Sequence, residues 1–275
     1  MKKNKRKYIF WDVLTKVSFA IMILALLYPF ASETIESFRR GSAIVEYKDK
    51  ASLIDKNAKA AELKNAEAYN NFLYNRQSGS SFEAVDYNSV LHQDEIMGYL
   101  DIPVLGMQDM PFYHGSTYDT LNKGLGHLNF TSVPVGGLNT HAVITGHTGM
   151  GNQVLFSDLN KLEKGDYFYI NILHKRFRYK IISKKLILPE QVEAVKIQEG
   201  KDLVTLLTCY PIFINSHRLL VTGERVPLDA STSRSVVRRN ILNIQNISML
   251  FTVILLLGYI IIKLLKLKKE KKPLS

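Results

Sequence analysis

The single cysteine of the chain, Cys209, has the surroundings best suited to covalent chemistry. It follows an apolar run, Leu203 to Thr208, that is typical of a β-strand, and a turn containing Pro211 separates it from a second apolar run that begins at Arg218. If the two runs pair as an antiparallel hairpin, Cys209 and Arg218 face each other across strands about 4.8 Å apart. A guanidinium beside a thiol favours the reactive thiolate and can donate hydrogen bonds to an oxyanion. The pattern therefore predicts a nucleophile with an electrostatic partner.

A thiol nucleophile also needs a group that takes up and returns a proton, and histidine is the usual one. His147 stands out because it lies in the glycine-flanked loop TGHTG, where an imidazole can protrude into a cleft. His141 and His217 are comparable candidates, and spacing does not select among the seven histidines. These are His92, His114, His127, His141, His147, His174 and His217. The alternative for each is a hydrogen-bonded structural histidine, just as the alternative for Cys209 is a buried structural thiol.

Short strands would have to position these residues. Between Arg176 and Leu188, apolar Phe177, Tyr179 and Ile181 alternate with basic residues, a period of two that predicts a strand with one buried face. Gly, Pro and Asn separate similar runs at residues 98–102, 141–145, 166–172, 203–208 and 218–222. Many short strands with few helices favour a mainly β fold, either a closed antiparallel barrel or a sandwich. The sequence has no glycine-rich phosphate loop, paired-cysteine zinc pattern or HExxH, so we expect neither cofactor nor metal.

Helical signals precede these strands. Residues 43–75 contain no Gly or Pro and repeat apolar residues at three-, four- and seven-residue spacings, which predicts an amphipathic helical extension interrupted at Asn57. Residues 76–95 contain Gly and Ser and break this pattern, so we expect a flexible loop there. The catalytic β-domain would then cover residues 96–228.

The formal net charge of +11 is concentrated at the two ends of the chain. Residues 1–7 contribute +5 through four lysines and one arginine, and residues 263–275 contribute +5 through six lysines and one glutamate, which leaves +1 between them. A nucleic-acid-binding protein carries its basic residues on the folded module, where they neutralise phosphates. The distribution is therefore typical of a membrane protein and argues against a nucleic-acid partner.

Two apolar segments account for these basic ends. Residues 240–262 run for 23 positions without a charge, enough for a membrane-spanning helix of roughly 20 residues, and we expect this to be the stronger span. The first segment, 8–32, has an apolar part of 16 residues, Val17 to Ser32, and reaches spanning length if Lys16 extends toward the headgroups. A cleaved signal peptide is the alternative, but no clean small-x-small site follows.

The basic tails predict the orientation of the chain in the membrane. Positive residues favour the cytoplasmic side, so we expect both termini in the cytoplasm and residues 33–239 outside the cell, with a linker at 229–239. Extracytoplasmic proteins usually pair their cysteines, and the unpaired Cys209 is therefore better explained by chemistry.

Three runs, in order along the chain, resemble the sortase family. TLLTCYPIFINSHRLLVTGER, Thr205 to Arg225, is similar to the sortase cysteine signature, with an arginine nine positions after the cysteine. NTHAVITGHTGMGNQVLFSDLNKLEKGDYFYI, Asn139 to Ile170, resembles the histidine motif. MPFYHGSTYDTLNKGLGHL and SVPVGG resemble the stretch before it, so that the similarity covers roughly residues 96–227.

This resemblance implies a closed eight-stranded β-barrel, with Cys209 as nucleophile, His147 as general acid and base, and Arg218 as the third catalytic residue. Thr145 and Thr208 are expected to support the substrate or the oxyanion. The helical extension and C-terminal span are similar to those of the pilus-building class C sortases. That class implies a transpeptidase in the membrane of a Gram-positive bacterium, which cleaves an LPxTG-like sorting signal and transfers the acyl group to a pilin lysine. Two alternatives stay open: a sortase that anchors surface proteins to peptidoglycan, and a non-catalytic, membrane-bound scaffold for pilin assembly.

The sequence departs from class C in the loop before the barrel. Class C enzymes commonly carry an Asp-Pro-aromatic lid, whose acid meets the arginine and whose ring covers the thiol, and residues 76–95 contain no such tripeptide. Residues 81–83, or Asp86 with Tyr87, could act as a crude plug. We expect instead a solvated loop and an enzyme without the usual lid.

Overall fold

The computed structural model describes residues 2–81, 83–92, 95–149, 155–228 and 244–270. Contacts divide the chain into two compact units. One lies within residues 37–239 and contains the β-sheet, and the other contains mainly residues 1–36 and 240–275. The α-helices of the described residues are α1 (Lys2–Leu53), α2 (Lys56–Ser78), α3 (Tyr118–Lys123) and α4 (Ile244–Glu270).

The sheet of the larger unit is a closed barrel of eight strands. The strands are β1 (Ile96–Ile102), β2 (Met107–His114), β3 (Leu125–His127), β4 (Thr140–Thr145), β5 (Tyr167–Ile172), β6 (Lys175–Ile187), β7 (Asp202–Tyr210) and β8 (His217–Val226). Their order around the barrel is β1-β2-β3-β4-β7-β8-β6-β5, and β1 closes the barrel by pairing with β5. The predicted mainly β fold and the closed eight-stranded barrel are thus confirmed. Two neighbouring pairs, β2–β3 and β4–β7, are parallel rather than antiparallel.

The alternating pattern of β6 places Phe177, Tyr179 and Ile181 in the hydrophobic core, as its period of two predicts. The sequence pattern did not identify β2 or β3. Pro111 interrupts the apolar run of β2 and cannot donate a ladder hydrogen bond, and β2 pairs with β3 only from Phe112 onward. Strand β3 has three residues, too few to show a period.

Helix α2 packs on the barrel through one apolar stripe and two amide hydrogen bonds. The predicted break at Asn57 lies close by, at Asp55, whose carboxylate accepts the backbone N–H of Asn57 at 2.8 Å and so caps α2. On the buried stripe, Asn70 exchanges hydrogen bonds of 3.0 and 2.8 Å with the backbone of Val133. The buried apolar residues of α2 are Leu63, Ala66, Tyr69 and Leu73.

The segment between α2 and β1 differs from the solvated loop expected over 76–95. Helix α2 continues to Ser78 and ends at Gly79, whose φ of 74° suits glycine. Further on, Val90 and Leu91 are buried in the core, and the Tyr87 hydroxyl lies 2.9 Å from Nδ1 of His127. Apolar burial and a buried hydrogen bond therefore attach residues 87–91 to the barrel, while Phe82, Gln93 and Asp94 lie outside the described residues.

Among the described residues, one helical segment, Ile9–Leu53, is long and apolar enough to cross a membrane. The apolar part of α4, Asn246–Ile262, is shorter and would extend roughly 26 Å against a hydrocarbon core of roughly 30 Å. The expectation that the C-terminal segment, 240–262, is the stronger span stays a prediction, because its first residues lie outside the described part of the chain. Residues 229–243, which include the predicted linker and the start of that segment, lie outside it.

Candidate active site

Strands β7 and β8 place Cys209 directly opposite Arg218. The preceding pairs in the ladder alternate between faces, and Thr208 with Leu219 belongs to the buried inner face because Leu219 is part of the core. Cys209 and Arg218, one position further on, therefore share the outer face. Both residues are partly exposed, so a substrate can reach them from solvent.

The neighbouring strand on the other side of β7 brings His147 to the same rim. Strand β4 runs parallel to β7, with Thr145 opposite Leu207, and the ladder continues through a 3.1 Å bond from the Gly146 N–H to the Leu207 carbonyl. If this register continues by two residues, His147 lies level with Cys209 along the two strands. The three side chains named from the sequence thus arise at the same end of three adjacent strands.

The surroundings of the His147 imidazole favour its neutral form. Its Nε2 is buried and has no hydrogen-bond partner within the described residues. Burial also lowers the pKa of His147 from its ordinary value of 6.5, because the charged form loses solvation. The imidazole is consequently neutral at neutral pH and can accept a proton.

Arg218 uses only part of its hydrogen-bonding capacity on its own hairpin. One guanidinium nitrogen, Nη1, donates to the carbonyls of Asn215 at 3.0 Å and His217 at 3.1 Å. In the part of the chain that is described, these are its only hydrogen bonds, which leaves Nε and Nη2 as donors for a substrate. The two bonds also fix the direction in which the guanidinium points.

The two threonines predicted beside the site lie on opposite faces. Thr145 shares the outer face with Cys209 and is 7% exposed. Thr208 is 2% exposed on the inner face, and its hydroxyl donates to the Gly146 carbonyl at 2.7 Å. Strand alternation therefore turns the Thr208 hydroxyl away from the thiol, and its contact is with the backbone that precedes His147.

His141 and His217, the other two histidine candidates, form hydrogen bonds with groups other than Cys209. His141 is buried, with Nδ1 2.9 Å from the Lys196 carbonyl and Nε2 2.7 Å from the Thr205 hydroxyl, so both ring nitrogens are occupied. His217 lies 2.9 Å from the Ser216 hydroxyl and pairs with Tyr210, one position beyond the pair of Cys209 and Arg218. The geometry thus favours His147 over its two nearest competitors.

Two exposed aromatic residues that sequence reasoning missed lie beside the His147 loop. The ring of Tyr118 lies 6.2 Å from the imidazole of His147, measured between centroids. Two residues further along the loop, the β7–β8 turn packs on Gly149, where an added Cβ would lie 2.5 Å from Ile212 and 3.4 Å from the ring of Phe213. Both aromatics occur inside the quoted motif runs, but only the fold shows that they lie beside the same histidine loop.

Asp86 and Tyr87, the alternative plug, make their contacts away from the thiol. Asp86 accepts the backbone N–H of Asn88 at 3.1 Å, and Tyr87 stacks on His127 at 5.6 Å between ring centroids. The acid is thus engaged in a local turn and the ring in the core, rather than with Arg218 or Cys209. The contacts of this pair support its role as an anchor of the segment.

A thiol, a neutral imidazole and a guanidinium on one face suit acyl transfer, because they supply a nucleophile, a proton carrier and an oxyanion donor. Within the described ranges, no group of three or more His, Cys, Asp or Glu side chains is placed to hold a metal ion. The site has the components of covalent catalysis by its own side chains.

Comparison with known proteins identifies the family to which the chain belongs. The sortase domain family matches residues 100–226. Sortase A of Bacillus anthracis is 30% identical over 139 residues, which cover 50% of this chain and 64% of that protein, so the chain spans less than two thirds of this curated relative. A crystal structure of Clostridium perfringens sortase C is 42% identical, with a TM-score of 0.62 over 68% of this chain and 99% of that one. Streptococcus pneumoniae sortase C is 39% identical, with a TM-score of 0.61 over 70% of this chain and 100% of that one. Identity of this level across whole solved domains establishes that the chain belongs to the sortase family.

Proposed function

We propose that the chain is a class C cysteine transpeptidase. It would cleave an LPxTG-like sorting signal between Thr and Gly and transfer the new acyl group to a pilin lysine. The observation that carries the proposal is the register of β4, β7 and β8, which brings the end of β4, Cys209 and Arg218 to one rim of the barrel. The similarity to sortases C from Clostridium perfringens and Streptococcus pneumoniae, the latter described in terms of pilin substrate specificity, supports the choice of substrate.

In the first half-reaction, Sγ of Cys209 attacks the threonine carbonyl carbon while His147 takes up the thiol proton. The carbon–nitrogen bond to glycine then breaks, and His147 returns that proton to the leaving amine, which leaves a thioester on Cys209. The uncommitted N–H groups of Arg218 would hold the developing oxyanion or the substrate backbone.

In the second half-reaction, a lysine amine attacks the thioester carbon. Neutral His147 takes a proton from the attacking nitrogen, the carbon–sulfur bond breaks, and the proton passes to the departing sulfur. The products are an amide between two pilins and the regenerated Cys209 thiol. The lowered pKa of His147 suits this step, since the imidazole must be unprotonated when the amine arrives.

The same proposal includes a membrane location. Segment Ile9–Leu53 would anchor the chain in the membrane of a Gram-positive bacterium, and the barrel would face the outside, where sorting signals and pilins are found. The basic residues at both ends of the sequence favour cytoplasmic termini.

A decisive test uses the purified full chain in detergent micelles with an LPxTG peptide. Mass spectrometry should find the acyl fragment on Cys209, and the Cys209→Ser variant, which is nearly isosteric but a far weaker nucleophile, should carry none. Adding a pilin that bears its lysine should then give covalent ladders. Transfer to peptidoglycan-type amines with no ladders would support the anchoring alternative. Peptide binding without turnover, unchanged in Cys209→Ala, would support the scaffold.

A further inference from the structure

Tyr118 and Phe213, named here the aromatic pair, both lie beside the loop that carries His147. Tyr118 is the first residue of α3 and is 70% exposed, with its ring 6.2 Å from the imidazole. Phe213 is 73% exposed, and its ring lies against Gly149, two residues after His147. Neither ring contributes to the hydrophobic core.

The backbone of Phe213 is unfavourable for a bulky residue. Its φ is 70°, in the left-handed region that favours glycine, and Asn215 nearby has a φ of 57°. The turn is held by bonds from the Ile214 and Asn215 N–H groups to the Pro211 carbonyl, and by Arg218. An exposed aromatic side chain is thus fixed in a strained conformation at the edge of the site, as is often the case for residues that contact a ligand.

The position of the aromatic pair indicates which reactant it contacts. The acyl donor is held at Cys209 and Arg218, whereas the acceptor amine must reach His147, which takes its proton. An approaching lysine therefore passes beside the two rings next to the His147 loop. Its aliphatic stem suits apolar contact, and its ammonium is attracted to an aromatic face within about 6 Å.

We propose that Tyr118 and Phe213 form a recognition site for the acceptor lysine, with the two rings guiding its ammonium and stem toward His147. This inference rests on the proposed transpeptidase function and names its acceptor-binding residues. The rings attract the protonated lysine to the site, where it loses a proton to solvent; the free amine then attacks the thioester carbon and His147 takes a proton from the attacking nitrogen.

The test isolates the second half-reaction. Acyl-enzyme is formed first with the LPxTG peptide on the full chain, and its decay is then followed against the concentration of a lysine amide. In Tyr118→Ala and in Phe213→Ala, the half-saturating lysine amide concentration should rise about threefold to thirtyfold, the range of one cation–π contact, with more of the acyl group lost to water. Tyr118→Phe should keep the dependence of the unchanged chain. Phe130→Ala, at another exposed aromatic, is the matched control and should also leave it unchanged.

Two further measurements distinguish a loss of lysine recognition from misfolding and from failure of the proposed transpeptidase function. Phe213→Gly should raise the melting temperature, because glycine relieves the strained φ, and still weaken the use of lysine amide. Saturation-transfer NMR needs no turnover, and should show Nα-acetyl-lysine amide, but not the uncharged Nα-acetyl-norleucine amide, bound by the unchanged chain and not by the double alanine variant. If the chain binds Nα-acetyl-lysine amide in this way but never forms a thioester, the transpeptidase proposal fails and the recognition site stands. If thioester forms and both variants use lysine amide as the unchanged chain does, the recognition site is overturned.

Discussion

His147 is the residue whose ionisation should set the acid side of the pH profile. Burial lowers the pKa of His147, so its basic form persists below the ordinary value of 6.5. We expect the rate of amine transfer from preformed acyl-enzyme, divided by the concentration of unprotonated lysine amine, to fall only below pH 6.5 as the solution is acidified. Stopped-flow measurement of acyl-enzyme decay between pH 4.5 and 8 would check this, and a midpoint above 6.5 would contradict it.

Thr208 should act through the backbone rather than on the substrate. Its hydroxyl satisfies the buried carbonyl of Gly146, next to His147, and Thr208→Val would leave that carbonyl without a partner at a cost of about 1–3 kcal/mol. We expect roughly tenfold slower thioester formation and a lower melting temperature, whereas Thr208→Ser should retain most of both. Equal losses in the two variants would argue against this role.

In the proposed mechanism, Arg218 donates hydrogen bonds to the carbonyls of its own turn and to the substrate at the same time. A lysine keeps the charge but lacks the planar fork that lets one nitrogen bond Asn215 while others point outward. In Arg218→Lys we therefore expect thioester formation to slow by about 10²–10³-fold, the range for loss of one oxyanion donor, with Arg218→Ala no better. The rate of thioester formation is measured from the appearance of the adduct by mass spectrometry. A rate in Arg218→Lys within threefold of that of the unchanged chain would show that the planar guanidinium is not required.

At the scale of elements, the segment from Tyr87 to Leu91 should stabilise the barrel rather than shield the thiol. The Tyr87 hydroxyl lies 2.9 Å from Nδ1 of His127 and accepts the Gly115 N–H at 3.2 Å. In Tyr87→Phe both partners lose this group, and we expect a destabilisation of about 1–3 kcal/mol. Thermal unfolding measures the loss. A rise of more than tenfold in thioester formation would show instead that the segment restrains the site.

The elements differ in how far the sequence predicts them. Alternation identified β6, an apolar run identified β7, and the short turn between that run and the next was enough to place Cys209 opposite Arg218. Alternation along β7 puts Thr208 on the other face, although Thr208 was predicted to support the substrate or the oxyanion. His147 could not be chosen by spacing, because its position depends on the parallel pairing of β4 with β7 across a separation of 62 residues. Tyr87 is similar, since its partner His127 lies 40 positions away.

At the scale of the whole molecule, the stability of the barrel should depend on pH through His127. Burial lowers the pKa of His127 from 6.5 to about 4, partly offset by its bond to the Ser132 carbonyl. The unfolded chain therefore binds more protons than the folded one between these values. The stabilisation is complete above about pH 6.5 and is lost as the pH falls toward 4, by about 3 kcal/mol in total. Denaturant unfolding in this pH range should show the loss of stability, and His127→Gln should reduce the dependence of the free energy of unfolding on pH. An unchanged dependence would assign the loss to other groups.

Strand β7 pairs in parallel with β4 and antiparallel with β8, and the two pairings differ in how early they can form during folding. The hairpin of β7 and β8 closes over a turn of six residues, 211–216, whereas β4 meets β7 only after the intervening chain has been organised. Local contacts generally form before distant ones. A newly made chain would thus bring Cys209 and Arg218 together first and His147 last. It would have no transpeptidase activity until β4 has paired with β7.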